Sequence, residues 1–279
     1  MCVVWLLSAL WTSPVALAGW VPTGPERGHV LHAAGDDEHV SVATRVGVVT
    51  AGPGLDDWAR DDRFPPEVRR LAYGPEGVVW GAPAGQLWRV GTRAERVVFF
   101  ESQTTAVDLC VTGSGALLAA LRGDEAGLIR IEGEPVRVLE GVDPWRLAAA
   151  GDRVLLGTAD AGVYLSRDDG RSFERILETD VGVSAVAWVG DQAWIGLADG
   201  GLQIWQDDTW TRLPPLRAGY ATGLAGVSGG VLITVERARQ GHDLLVLHDG
   251  RSGRELQPGR VGGDSTQVDL TGAWPLPGG

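Results

Sequence analysis

The chain has 279 residues, a formal net charge of −12 and 24 basic residues, every one an Arg. This acidity opposes binding to nucleic-acid phosphates and to anionic lipid surfaces. Asn is absent, which excludes N-glycosylation acceptors, and the only Cys, Cys2 and Cys110, are too few for a disulfide or zinc framework.

The first 18 residues read as an export signal. Val3 to Leu10 is apolar, the run continues to Val15, and Ala16-Leu17-Ala18 supplies an A-x-A cleavage site before Gly19. No Arg precedes the apolar run, which departs from the usual pattern; a buried first strand is the competing reading. The expected destination is the periplasm or the cell exterior. No later stretch is long and apolar enough to span a bilayer.

Beyond the leader the chain repeats. The segments 78–88, 154–164 and 193–203 each read as a strand, a tight Gly-containing turn and a second strand. The small residue closing the first strand recurs as Ala43, Gly81, Ala119, Gly157, Gly196 and Thr234, in steps of 38, 38, 38, 39 and 38. A second anchor, Leu71, Leu109, Leu147, Val186 and Leu224, keeps the same phase. Each unit holds four short apolar or alternating runs between turn residues; in the fourth they are 145–149, 153–157, 162–166 and 172–177. No segment sustains a helical period.

Four strands in a unit of about 40 residues are the signature of a β-propeller blade. The expected fold is therefore all-β: one propeller domain over 19–279, with units at 28–66, 67–104, 105–142, 143–180, 181–218 and 219–260. The remaining segments, 19–27 plus 261–279, are expected to close the ring as a seventh, split blade that removes free strand edges. A six-bladed ring is the alternative.

In the fourth unit, residues 166–173 read S-R-D-D-G-R-S-F. Ser166, Asp168, Gly170, Ser172 and Phe173 fill the five defining positions of the Asp-box. Degenerate forms occur at 206–210, 248–252 and 55–58. The chain thus resembles the BNR/Asp-box propellers of the WD40/YVTN-like superfamily, which include sialidases, sortilin-type receptors and photosystem II assembly and stability factors of the Ycf48 type. The resemblance implies a structural role for the box, in the hairpin between third and fourth strands. Asp168 would accept turn N–H groups, Gly170 would take a positive φ, and Phe173 would pack back on the sheet.

A sialidase-like chemistry would imply an arginine triad and a Tyr–Glu nucleophile pair. Of Tyr73, Tyr164 and Tyr220, Tyr220 alone precedes an inner strand in a place that faces the channel mouth. Arg70 and Arg146 hold one place in two repeats, with Asp108 as their counterpart between them; these three either line the channel or form an inter-blade salt bridge, the favoured reading. No D-x-D-x-D-G calcium loop is present, the five His lack zinc-ligand spacing, and no G-x-S-x-G elbow occurs. His32 reads as a surface or packing residue. No catalytic, metal-binding or cofactor-binding residue is assigned, and no cofactor is expected.

Loops between second and third strands, and between blades, form one face of a propeller. Here they carry Arg122, Asp124, Asp160, Asp199, Glu236, Arg237 and Arg239, with Trp145 and Tyr220 at the channel mouth. The loops at 122–126 and 236–241 are longer than their equivalents, and loop elaboration on a rigid scaffold is where function concentrates. The expectation is an exported, monomeric, non-catalytic scaffold that binds a protein or other macromolecule on this face. Nucleic acid and membrane insertion after leader removal are excluded. The alternatives are a sialidase-like or other carbohydrate-active hydrolase and an envelope-complex assembly factor.

Overall fold

A computed structural model describes residues 30–36, 38–52, 57–100, 103–216, 219–227, 230–236 and 244–256. These form six four-stranded antiparallel sheets, each built from consecutive strands. Blade 1 contains β1 (Val30–Gly35), β2 (Val40–Thr44), β3 (Gly47–Ala51) and β4 (Ala59–Arg60). Blade 2 contains β5 (Arg70–Tyr73), β6 (Val79–Ala82), β7 (Gln86–Val90) and β8 (Ala94–Phe99). Blade 3 contains β9 (Thr105–Val111), β10 (Leu117–Arg122), β11 (Gly127–Ile131) and β12 (Pro135–Glu140). Blade 4 contains β13 (Pro144–Ala150), β14 (Arg153–Thr158), β15 (Val163–Ser166) and β16 (Glu174–Leu177). Blade 5 contains β17 (Val183–Val189), β18 (Gln192–Leu197), β19 (Leu202–Gln206) and β20 (Thr209–Leu213). Blade 6 contains β21 (Tyr220–Val227), β22 (Gly230–Glu236), β23 (Leu244–His248) and β24 (Gly253–Leu256).

Side-chain alternation explains how these sheets stack. In β10, Leu117, Ala119 and Leu121 join Trp80 and Leu87 of blade 2. Leu118 and Ala120, pointing the other way, join Leu147, Val154 and Leu156 of blade 4. A strand buried on both faces is apolar throughout, and β10 is such a strand. Comparable clusters fill the junctions of blades 1 and 2, 4 and 5, and 5 and 6. The inner strands β1, β5, β9, β13, β17 and β21 neighbour one another in chain order. All six line one central cavity. Radial sheets around an axis define a β-propeller, here with six blades in the described residues. The segments assigned to a seventh blade, 19–27 and 261–279, lie outside the described residues, as does the leader at 1–18.

The periodic small residue has a steric cause at two junctions. A Cβ on Gly157 would lie 2.4 Å from Cγ1 of Val183 in blade 5, and one on Gly196 would lie 2.8 Å from Cβ of Ala221 in blade 6. These second strands approach the next blade too closely for any side chain.

The turn between β15 and β16 lies within residues 166–173. Ser172 donates to Asp168 from its backbone N–H (2.9 Å) and its hydroxyl (2.6 Å). The Ser166 hydroxyl donates to Asp168 Oδ1 (2.7 Å) and accepts the Gly170 N–H (2.9 Å). Burial opposes the Asp168 charge, but the bonds from Ser172 and Ser166 outweigh it and hold its pKa at about 2. Gly170 has φ +77°, and a Cβ there would meet Leu118 of blade 3. Phe173 packs against the blade 3–blade 4 cluster. The next residue, Asp169, crosses to blade 3. It accepts from the Ser114 N–H and hydroxyl, and it pairs with Arg130 (2.6 Å), itself buried. The turn therefore clamps two blades as well as closing a hairpin.

Gly157→Val forces the second strand of blade 4 against Val183, and overpacking of this kind costs about 1–3 kcal/mol. Gly133→Ala, in open space, is expected within about 0.5 kcal/mol of wild type. Urea unfolding of both variants checks this; equal midpoints would remove the steric reading.

Candidate functional site

The inner strand of each blade is the axial edge of its sheet, so its outward N–H and C=O groups have no strand partner. Five of the six inner strands also carry a bulge near their start, at Leu31, Val107, Trp145, Ser184 and Thr222. The residues that follow are His32, Asp108, Arg146, Ala185 and Gly223, and Arg70 holds the matching place in blade 2. All six line the central cavity, whose volume is about 330 Å³.

Three of the four polar members of this ring, His32, Arg70 and Asp108, stitch their blade to the next. His32 Nδ1 accepts the Leu71 N–H of blade 2 (3.3 Å). Arg70 Nε donates to the Val107 carbonyl of blade 3 (2.5 Å). Asp108 Oδ2 accepts the Leu147 N–H of blade 4 (2.8 Å), and its Oδ1 accepts the Leu109 N–H (3.1 Å). Arg146 Nη1 donates to the Trp145 carbonyl (3.0 Å). Acceptor and donor alternate around the ring. The expected salt bridge between Asp108 and its two Arg neighbours is not formed: Asp108 and Arg70 are drawn to the backbone edge of the next blade, and Arg146 to the carbonyl of Trp145 in its own strand. Asp108 instead stands 3.9 Å from His32 Nε2.

Charge and burial set the protonation states. Burial, reinforced by the cations Arg70 and Arg146, lowers the His32 pKa to about 3, so the imidazole is neutral. Burial raises the Asp108 carboxyl, and Arg146 and Arg70 counteract it. Burial and the charge of Arg70 lower the Arg146 pKa against the pull of Asp108.

At the mouth of the cavity, several residues expected on the binding face come together. Arg122, at the end of β10, holds Asp143 through Nε (2.6 Å) and Nη2 (2.8 Å). Its guanidinium lies 4.6 Å from the Trp145 ring centroid, and that of Arg146 lies 5.0 Å from it. The indole is thus flanked by two cations, each an attractive partner for its π face. Tyr220, at the start of β21, donates its hydroxyl to Glu236 Oε2 at the end of β22 (2.6 Å). Asp124, Asp160 and Asp199 are exposed on separate loops, and Asp199 Oδ1 accepts its own loop's Gly201 N–H. Arg237 and Arg239 lie outside the described residues. Tyr73 reaches the cavity wall and bonds Ser41, whereas Tyr164, in β15, packs between blades 3 and 4.

Sequence reasoning missed two members of this site. His32 stands 38 residues before Arg70, the step that relates Arg70 to Asp108, and that phase would have placed it on the ring. Asp143 carried no such signal. Among the described residues no group of three or more His, Cys, Asp or Glu is arranged to hold a metal ion.

No family model matches the chain, and no curated protein matches it. Its fold is shared by solved β-propellers. A GH74 xyloglucanase from Xanthomonas campestris is 15% identical over 84% of this chain and 46% of that one, with a TM-score of 0.66. The chain thus spans less than half the length of the xyloglucanase. The Cps50 (Swd1) propeller domain of Myceliophteria thermophila is 15% identical over 84% of this chain and 88% of that one (TM-score 0.64). A structure described as YCF48 bound to D1 peptide is 13% identical over 83% of each chain (TM-score 0.61). Likeness at this identity concerns the fold.

Because folded His32 resists a proton that the unfolded chain accepts near pH 6.5, its contribution to stability is complete above that pH and is lost as pH falls toward 3. The loss is up to about 1.4 kcal/mol per pH unit. Asp108 has the opposite sign: its raised pKa contributes stability at low pH that is lost as the carboxyl ionises. His32→Gln keeps an acceptor for the Leu71 N–H and removes the titration. The melting temperature of this variant should fall less between pH 7 and pH 4.5 than that of wild type. Parallel curves would exclude His32 as the titrating group.

Proposed function

We propose that the protein is an exported, non-catalytic propeller scaffold that binds a protein partner on the face around the cavity mouth. The observation that carries this reading is the partly exposed Trp145, fixed between Arg122 and Arg146. Rigid aromatic and Arg side chains are the residues most enriched at interface hot spots, since they bury large areas with little entropy left to lose. The Arg122–Asp143 fork holds the guanidinium against the ring, so the surface is pre-organised for contact. The described peptide complex of the Ycf48 neighbour supports the choice of a polypeptide partner. Overall acidity favours a partner with a basic contact surface.

Affinity capture from source-cell envelopes tests this, with wild type, Trp145→Ala and the rim variant Phe99→Ser compared side by side. Loss of an indole anchor costs about 2 kcal/mol or more, a weakening of roughly 30-fold. The partner should therefore be retained by wild type and Phe99→Ser and lost by Trp145→Ala. Retention by all three would reject this face.

A second reading, a sialidase-like hydrolase, draws on the Tyr220–Glu236 hydrogen bond at the same mouth. Against it, the third guanidinium near the mouth is committed to Asp143, and among the described residues Arg70 and Arg146 are the two Arg that line the cavity. Turnover of a fluorogenic sialoside should equal the buffer blank. Hydrolysis by wild type that disappears in Tyr220→Phe would establish the enzyme reading instead.

A further inference from the structure

Arg70 and Arg146 are cations inside the central cavity. Their hydrogen bonds go to backbone carbonyls, of Val107 and Arg69 for Arg70 and of Trp145 for Arg146. Among the described residues neither forms an ion pair. Asp108, between them on the ring, has both oxygens turned onto backbone N–H groups. Two partly buried like charges are costly unless an opposite charge joins them. The rest of the molecule is rich in carboxylates, with a net charge of −12, yet Asp108, whose charge both Arg feel, spends its oxygens on backbone N–H groups and forms an ion pair with neither.

The opposite wall has another character. Blades 5 and 6 place Ala185 and Gly223 at the ring positions that carry long polar side chains in blades 1 to 4. Ala187 and Leu224 line the cavity beside them. The cavity is therefore cationic on one side and small and apolar on the other. Its volume of about 330 Å³ falls at the lower end of the range of small-molecule sites, roughly 300–1,000 Å³.

We infer that the central cavity binds a small aliphatic carboxylate, its anionic end drawn to Arg70 and Arg146 and its hydrocarbon end against Ala185, Ala187, Gly223 and Leu224. Guanidinium groups suit carboxylate and phosphate alike. The apolar wall selects between them, because inorganic phosphate has nothing to bury there. This site lies inside the ring and shares only Arg146 with the partner face: loss of partner capture by Trp145→Ala would leave Arg70, Arg146 and the apolar wall in place.

Isothermal titration of the full chain with acetate, propionate, butyrate, valerate and inorganic phosphate tests the inference. Affinity should rise about fourfold per added CH₂, with phosphate no tighter than acetate. Arg70→Leu and Arg146→Leu should each weaken valerate at least tenfold, while Arg175→Leu on the outer rim leaves it unchanged. If an Arg variant fails to fold, the chain-length series on the wild-type chain, with phosphate beside it, still decides. No binding in any arm, affinity independent of chain length, or phosphate as tight as valerate would overturn the inference.

Discussion

The axial edge of each blade is the constraint from which the rest follows. A four-stranded sheet has two edges, and the radial arrangement turns one of them toward a narrow axis where no further strand fits. The backbone groups on that edge need partners all the same. In blades 2 to 4 the partner is a side chain from the preceding blade. His32 takes the N–H of Leu71, Arg70 meets the carbonyl of Val107, and Asp108 takes the N–H of Leu147. Polar residues near the axis are thus a consequence of the topology. They also fix neighbouring blades in register, which apolar stacking alone does not do, since hydrophobic contact is non-directional.

The architecture was legible because stacking is periodic. Burial on both faces makes second strands continuously apolar, and close approach demands Gly at positions such as Gly157 and Gly196. Both features survive in the sequence as landmarks in steps of 38 or 39. Their phase conceals a difference, however. Gly157 pairs with Arg146 and Gly196 with Ala185, but Gly81 pairs with Leu71 and Ala119 with Leu109. In blades 2 and 3 the loop between the first two strands, at 74–78 and 112–116, shifts the pairing by one residue. Such a slip turns a side chain to the other face of the sheet. Ala119 accordingly packs toward blade 2, whereas Gly157 faces blade 5. A constant spacing along the chain does not guarantee a constant place in the blade, and loop length decides which applies.

The site was legible only in part. Trp145, Arg122, Tyr220 and Glu236 could be assigned to one face because strand order fixes which loops share it. The contacts among them, such as Arg122 with Asp143 or Tyr220 with Glu236, depend on rotamers that no spacing encodes. The Arg70–Asp108–Arg146 pattern invited a charge-pairing argument, since opposite charges on neighbouring blades attract. Unpaired backbone makes a competing demand on the same side chains. A carboxylate that accepts two N–H groups at 2.8 and 3.1 Å satisfies three buried groups at once, and a salt bridge would satisfy fewer.

A strict repeat would place one residue type at every ring position and produce a symmetric channel with no preference for any ligand. This chain places His, Arg, Asp and Arg in four blades and Ala and Gly in the last two. The repeat is kept where stacking requires it, at the Leu anchors and the small residues of the second strands. It is abandoned where the side chain meets open space. Ala185 packs into the junction with blade 6, and Gly223 has no side chain, so neither sends a polar group across the axial edge. Asymmetry of this kind costs stability, since two edges lose their side-chain partners, and it creates the one thing a symmetric ring lacks: a cavity with a charged side and an apolar side.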